Sequence, residues 1–193
     1  MTSDASSLRA PVLLLAMPQV VDPFFQRSVV LLVHHDEEGS LGLILNRPTD
    51  IRVTEILEGM KIHWHGDPAK VAHFGGPVQP QLGSILFRSA SDGSETTTEV
   101  LPGVSLTQHV GDLSRLASEP PAGFRLFLGY AGWGSSQLIS EILRNDWITA
   151  PVQPELLFGT EDTVVWEQAL HSVGIDPATL PAWTSPGDEE SAN

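Results

Sequence analysis

Apolar residues in this chain fall into runs of two kinds. Continuous stretches of strand length occur at Val12 to Ala16, Ser28 to Val33 and Leu41 to Leu45, and none of them alternates. Each therefore predicts a strand covered on both faces, with the second and third joined as a hairpin through Glu38-Gly39. Helical spacing appears at Val53, Ile56, Leu57 and Met60, which predicts a short helix ending near Gly59, and again at Val165, Ala169 and Val173, within a helix over 164–173 stopped by Gly174. Ser84 to Arg88 and Thr96 to Leu101 read as a hairpin turned at Ser91-Asp92-Gly93-Ser94. Pro102-Gly103 breaks that ladder before it resumes over 104–107, and a short helix follows over 112–117. Ile148 to Val152 and Leu156 to Phe158 read as short extended pieces.

The richest stretch runs from Phe124 to Trp147. Phe124, Leu126 and Leu128 alternate with Arg125 and Phe127, a strand pattern; Gly129, Gly132 and Gly134 then permit tight turns or close approach. Ser135 or Ser136 stands ready to cap a helix whose apolar stripe is Leu138, Ile139, Ile142 and Leu143, with Gln137, Glu141 and Arg144 on another face. Helices interrupt strands irregularly along the whole chain, so the fold class is α+β with a mixed sheet in a single domain over 10–183. Residues 1–9 and the acidic tail 184–193 read as disordered.

Composition narrows the function. Ten Lys+Arg against twenty-four Asp+Glu give a net charge of −14, which repels phosphate backbones and anionic membrane surfaces, so direct nucleic-acid binding is disfavoured. With no cysteine, thiolate catalysis, disulfides and Cys-based zinc sites are excluded together. No apolar run is long enough to span a membrane, and a cytoplasmic location is expected.

Few motifs survive inspection. Gly132-Trp133-Gly134-Ser135-Ser136-Gln137 opens like a dinucleotide fingerprint, but Gln137 replaces the third glycine and Trp133 crowds the turn. As a nucleophile elbow it lacks glycine two residues after Ser136. His34-His35-Asp36 reads as a solvated hairpin loop, and His63-Trp64-His65 brings two imidazoles to one side without a third ligand, so neither metal nor cofactor is expected. Asn46-Arg47-Pro48 places an arginine at a stiffened strand end, where it meets a cleft or an acidic partner. Gly75-Gly76-Pro77 allows either a nest of backbone amides or a strand crossing.

Four blocks in this order resemble the YqgE/AlgH family of bacterial proteins: 22–32 with Asp22-Pro23-Phe24-Phe25-Gln26-Arg27, 42–48 ending in Asn46-Arg47-Pro48, Gly75-Gly76-Pro77-Val78, and 129–138 around Trp133. The resemblance covers about 11–174 and implies a curled sheet forming a pseudo-barrel, in a cytoplasmic protein without an established biochemical activity. Ser136 stands where the family has glycine, and Ile139 where it commonly has an acid. On motif match and residue chemistry, Asp22, Arg27, Asn46, Arg47, Gly76, Trp133, Gln137 and Glu141 are the candidate binding residues, with no catalytic residue among them. The expected function is a non-catalytic, regulatory binding module for a protein or a small anionic ligand. Two other readings stand beside it. One is an enzyme holding a small anion between Arg47 and the helix start near Ser136, with Asp22 or Glu141 as acid-base group. The other is a structural homo-oligomer with Trp133 and Trp147 in its interface.

Overall fold

A computed structural model describes residues 8–89 and 95–181. Ten strands form one curled sheet: β1 Val12–Ala16, β2 Val29–His35, β3 Gly39–Ile44, β4 Pro48–Arg52, β5 Val71–Phe74, β6 Val78–Arg88, β7 Thr97–Leu101, β8 Val104–Thr107, β9 Phe124–Gly134 and β10 Trp147–Ala150. Among the described residues, five α-helices accompany them: α1 Val53–Gly59, α2 Val110–Ser118, α3 Gln137–Leu143, α4 Pro154–Phe158 and α5 Val165–Ser172. The main path runs β10-β1-β2-β3-β9-β6-β8-β7, and β4 joins through β5, which pairs with β9 in parallel. The sheet is thus mixed and curled into a half-barrel, the α+β architecture expected.

The unbroken apolar runs are explained by burial on two sides. Leu13 and Leu15 of β1 and Leu31 of β2 face one core with Val165, Trp166, Ala169 and Leu170 of α5. Their neighbours Leu14, Ala16, Val30 and Leu32 face another, with Trp133, Leu138 and Trp147. A third core lies under α1 and α2, where Leu57 and Leu116 meet Trp64 and Phe124.

β9 is the hub. One edge of the strand pairs with β6 from Phe124 to Tyr130, while the other pairs with β5 at Phe127 and Leu128 and with β3 from Ala131 to Gly134, so that edge changes partner midway. Gly129 makes the change with φ +70°, and a side chain there would run into the carbonyl oxygen of Gly76. Gly76 in turn crosses the backbone of Tyr130 and Ala131 with no room for a Cβ. This crossing alone requires glycine at that position.

Several local expectations are corrected. The 91–94 turn lies outside the described residues, and β6 pairs with β8 and β9, while β7 pairs with β8. Pro102-Gly103 is therefore the turn of the β7–β8 hairpin, with Gly103 at φ +79°, and does not interrupt a ladder. Leu156 to Phe158 are helical, because Pro154 at the first turn favours a helix start over extension. On α3 only Leu138 is buried, and Leu143 is 66% exposed. Ser136 occupies the N-cap position in a left-handed conformation and makes no side-chain cap; Gln137 Oε1 accepts from Gly134 N instead, at 3.0 Å. Of the expected terminal segments, 1–7 and all of 184–193 lie outside the described residues, and Leu8 packs against the Trp133 core.

Candidate functional site

Gly76 lies at the β9 crossing, and the other candidate residues divide into two groups. Trp133, Gln137 and Glu141 form one. Glu141 Oε2 accepts from Trp133 Nε1 and from Trp147 Nε1, both at 2.8 Å, and its other oxygen accepts from Gln137 Nε2 at 2.9 Å. The two indoles meet edge to face at 5.9 Å, and Phe25 packs on both, at 6.3 and 5.8 Å. Both indoles are buried in the chain's own core. Through these bonds within the chain, the group fastens α3 and β10 to β9.

Arg27, Asn46 and Arg47 form the second group, where the start of β2 lies beside the end of β3. Buried Asn46 accepts from Val29 N and donates to the Arg27 carbonyl, both at 2.9 Å, which fixes the 22–27 loop on the strand end. Asp22 shapes the same loop from its other end, its carboxylate accepting from Phe24 N at 2.8 Å and its carbonyl from Phe25 N and Gln26 N. Arg27 closes the loop at φ +53°, a conformation that costs a non-glycine residue energy and is kept where the surroundings demand it. Its guanidinium lies 5.7 Å from the Trp166 ring centre.

Arg47 is half-buried, and its guanidinium donates to the carbonyls of Asn46, at 3.1 Å, and Gln26. Burial lowers its pKa from the ordinary arginine value. Arg52, Arg115, Arg125 and Arg144 each face a carboxylate, whereas none lies within ion-pair distance of Arg47 among the described residues. Arg27, Asn46 and Arg47 line a cavity of about 280 Å³ with Pro48, Asp162, Thr163, Trp166 and Glu167. The facing wall is thus the entry to α5. No residue of the Gly-Trp-Gly block lines this cavity, so the Asn-Arg-Pro and Gly-Trp-Gly blocks do not enclose it together.

Beneath it lies a cluster that sequence inspection missed. His73 Nε2 and Asp162 Oδ2 are 2.9 Å apart, Arg125 Nη1 stands 3.1 Å from Asp162 Oδ1, and the same Nη1 donates to the Leu45 carbonyl at 2.7 Å. Burial acts to raise the Asp162 pKa, but the His73 hydrogen bond and the charges of His73 and Arg125 prevail and hold it below the ordinary value. Burial also lowers the Arg125 pKa, opposed by Asp162. His73 Nδ1 is buried without a hydrogen-bond partner in the described structure. A usable signal was present, since Arg125 and His73 each sit inside an otherwise apolar strand; Asp162, in a polar loop, gave none.

Among the described residues, no group of three or more His, Cys, Asp or Glu side chains gathers. Likewise no described helix is long and apolar enough to cross a membrane.

Comparison with known proteins agrees with the resemblance. The AlgH-like family model matches residues 13–178. A UPF0301 protein of Myxococcus xanthus is 40% identical over 172 residues, covering 89% of this chain and 94% of its own. One from Ruegeria pomeroyi is 40% identical over 173 residues, with coverage of 88% and 94%. The solution structure of the AlgH protein from Pseudomonas aeruginosa superposes with a TM-score of 0.74 at 30% identity, covering 96% of this chain and 100% of that one. The crystal structure of protein DIP2367 from Corynebacterium diphtheriae, at 22% identity and a TM-score of 0.72, shares the fold over 96% of this chain and 100% of its own.

Proposed function

The chain belongs to the AlgH-like family, and on that premise we propose that it is a non-catalytic regulatory module that binds the anionic group of a small ligand in the Arg47 cavity. The observation that carries this reading is Arg47 itself. In a chain with twenty-four acidic residues, a half-buried guanidinium facing a cavity holds only backbone carbonyls and no described carboxylate. Desolvating a guanidinium is costly unless a counter-charge repays it, and a bound carboxylate or phosphate supplies that charge in bidentate geometry.

The non-catalytic part draws support from how the candidate acid-base groups are engaged. Glu141 accepts three hydrogen bonds within the fold, and the Asp22 carboxylate holds a turn. His73 is buried beneath the cavity without lining it. The overall negative charge opposes direct nucleic-acid contact, and in this reading the module works in the cytoplasm.

Thermal melting against inorganic phosphate and simple carboxylates tests it, since a ligand selective for the folded state raises the midpoint. A rise that disappears in Arg47→Ala is expected. No rise with any of these anions in the wild-type protein contradicts the reading and leaves a protein partner in its place.

A further inference from the structure

The Arg47 cavity does not stand alone. Arg27, Trp166 and Glu167 also line a second hollow of about 330 Å³, whose far side is formed by His171, Asp176 and the 177–181 segment. The two hollows meet across the same three side chains, with the Arg27 guanidinium beside the Trp166 ring at the divide.

Their electrostatics differ. On the first side Asp162 is matched by Arg125 and His73, and Arg27 offsets Glu167 in number, so the charge left over is that of Arg47. On the second side Glu167 and Asp176 outnumber Arg27, so the carboxylates are in surplus. Glu167 has no hydrogen-bond or ion-pair partner among the described residues. Asp176 uses one oxygen to accept from Ala178 N at 2.9 Å, capping the turn at Pro177–Thr179, and its other oxygen has no described partner. One end of the cleft therefore favours an anion and the other a cation, and the indole of Trp166 lies between them.

We infer that the cleft takes a zwitterionic small molecule of the amino-acid type, its carboxylate on Arg47 and its ammonium group between Glu167 and Asp176. The inference rests on the anionic-ligand reading above and adds the second charge. Opposite charges at the two ends give selectivity by repulsion as well as attraction: a dicarboxylate sets its second anion against Glu167 and Asp176, and a diamine sets one cation against Arg47.

Calorimetric titration with ω-amino acids from glycine to ω-aminohexanoate, each beside the dicarboxylate and the diamine of equal carbon number, tests this. At the chain length that binds best, the amino acid is expected to bind about tenfold tighter than the dicarboxylate, and the diamine not to bind. Glu167 is exposed on α5, so Glu167→Gln should fold as wild type by circular dichroism, and it should bring amino acid and dicarboxylate close to parity. Dicarboxylates binding as tightly as amino acids at every length overturn the zwitterion inference and leave the anionic-ligand reading standing. If no carboxylate of any kind binds to the wild-type protein, both fall.

Discussion

Trp133 Nε1 donates to Glu141 Oε2 at 2.8 Å across the turn between β9 and α3, and the same oxygen accepts from Trp147 Nε1 at 2.8 Å. One carboxylate oxygen thus satisfies two buried indoles from different strands. Glu141→Ala leaves both N–H groups without an acceptor and should cost about 2–4 kcal/mol, while Glu141→Gln, which keeps a carbonyl oxygen, should cost about 1 kcal/mol. Urea denaturation of the three proteins checks the order. Anion binding at Arg47 should survive in the Gln variant, because Glu141 does not line that cavity.

The crossing of Gly76 over β9 makes a second prediction. Gly129→Ala combines φ +70° with a Cβ driven into the Gly76 carbonyl, so the loss should exceed about 3 kcal/mol or prevent folding. Gly83, which pairs with Leu128 from the neighbouring strand β6, has nothing within 4 Å of an added Cβ. Gly83→Ala should shift stability by less than about 1 kcal/mol. A comparable loss for both would remove the steric explanation.

Asp162 links stability to pH. Its folded pKa is lowered because the His73 bond and the neighbouring charges outweigh burial, so its contribution is complete above the unfolded value of about 4. That contribution is lost as pH falls through the lower, folded value. Asp162→Asn should cost about 3 kcal/mol near neutrality, because it strands Arg125 and His73. The gap between variant and wild type should narrow steadily on acidification below about pH 4. Melting midpoints of both proteins across that range provide the check; a gap independent of pH would show that the Asp162 charge is not what matters.

How much of this was legible in the sequence follows from which forces act locally. The runs at 12–16 and 29–33 announced burial on both faces, and the structure puts α5 on one side and the tryptophan core on the other. Turn chemistry placed the Asp22 loop. Strand β4 was missed because it is mostly exposed and leaves no apolar trace, and β5 because its four residues are too short a run to read as a strand. Partner choice was beyond reach in the same way: nothing near 84–88 or 96–101 states that both strands pair with 104–107. The site divided for a related reason. Arg27, Asn46 and Arg47 lie on adjacent strand ends and are drawn together by Asn46, whereas their facing wall, Asp162 to Glu167, arrives from more than a hundred residues away along the chain.

The account turns on Arg47 as the counter-charge for a bound anion, and its side chain can be observed directly. Titrating isotope-labelled protein with phosphate and with acetate while following the Arg47 Nε–Hε signal by NMR reports on that group alone. The account predicts a saturable shift of this signal, accompanied by Arg27 and Thr163 and by no comparable change at the paired Arg52 and Arg144. An Arg47 signal that stays in place while the exposed arginines move uniformly with ionic strength would contradict it.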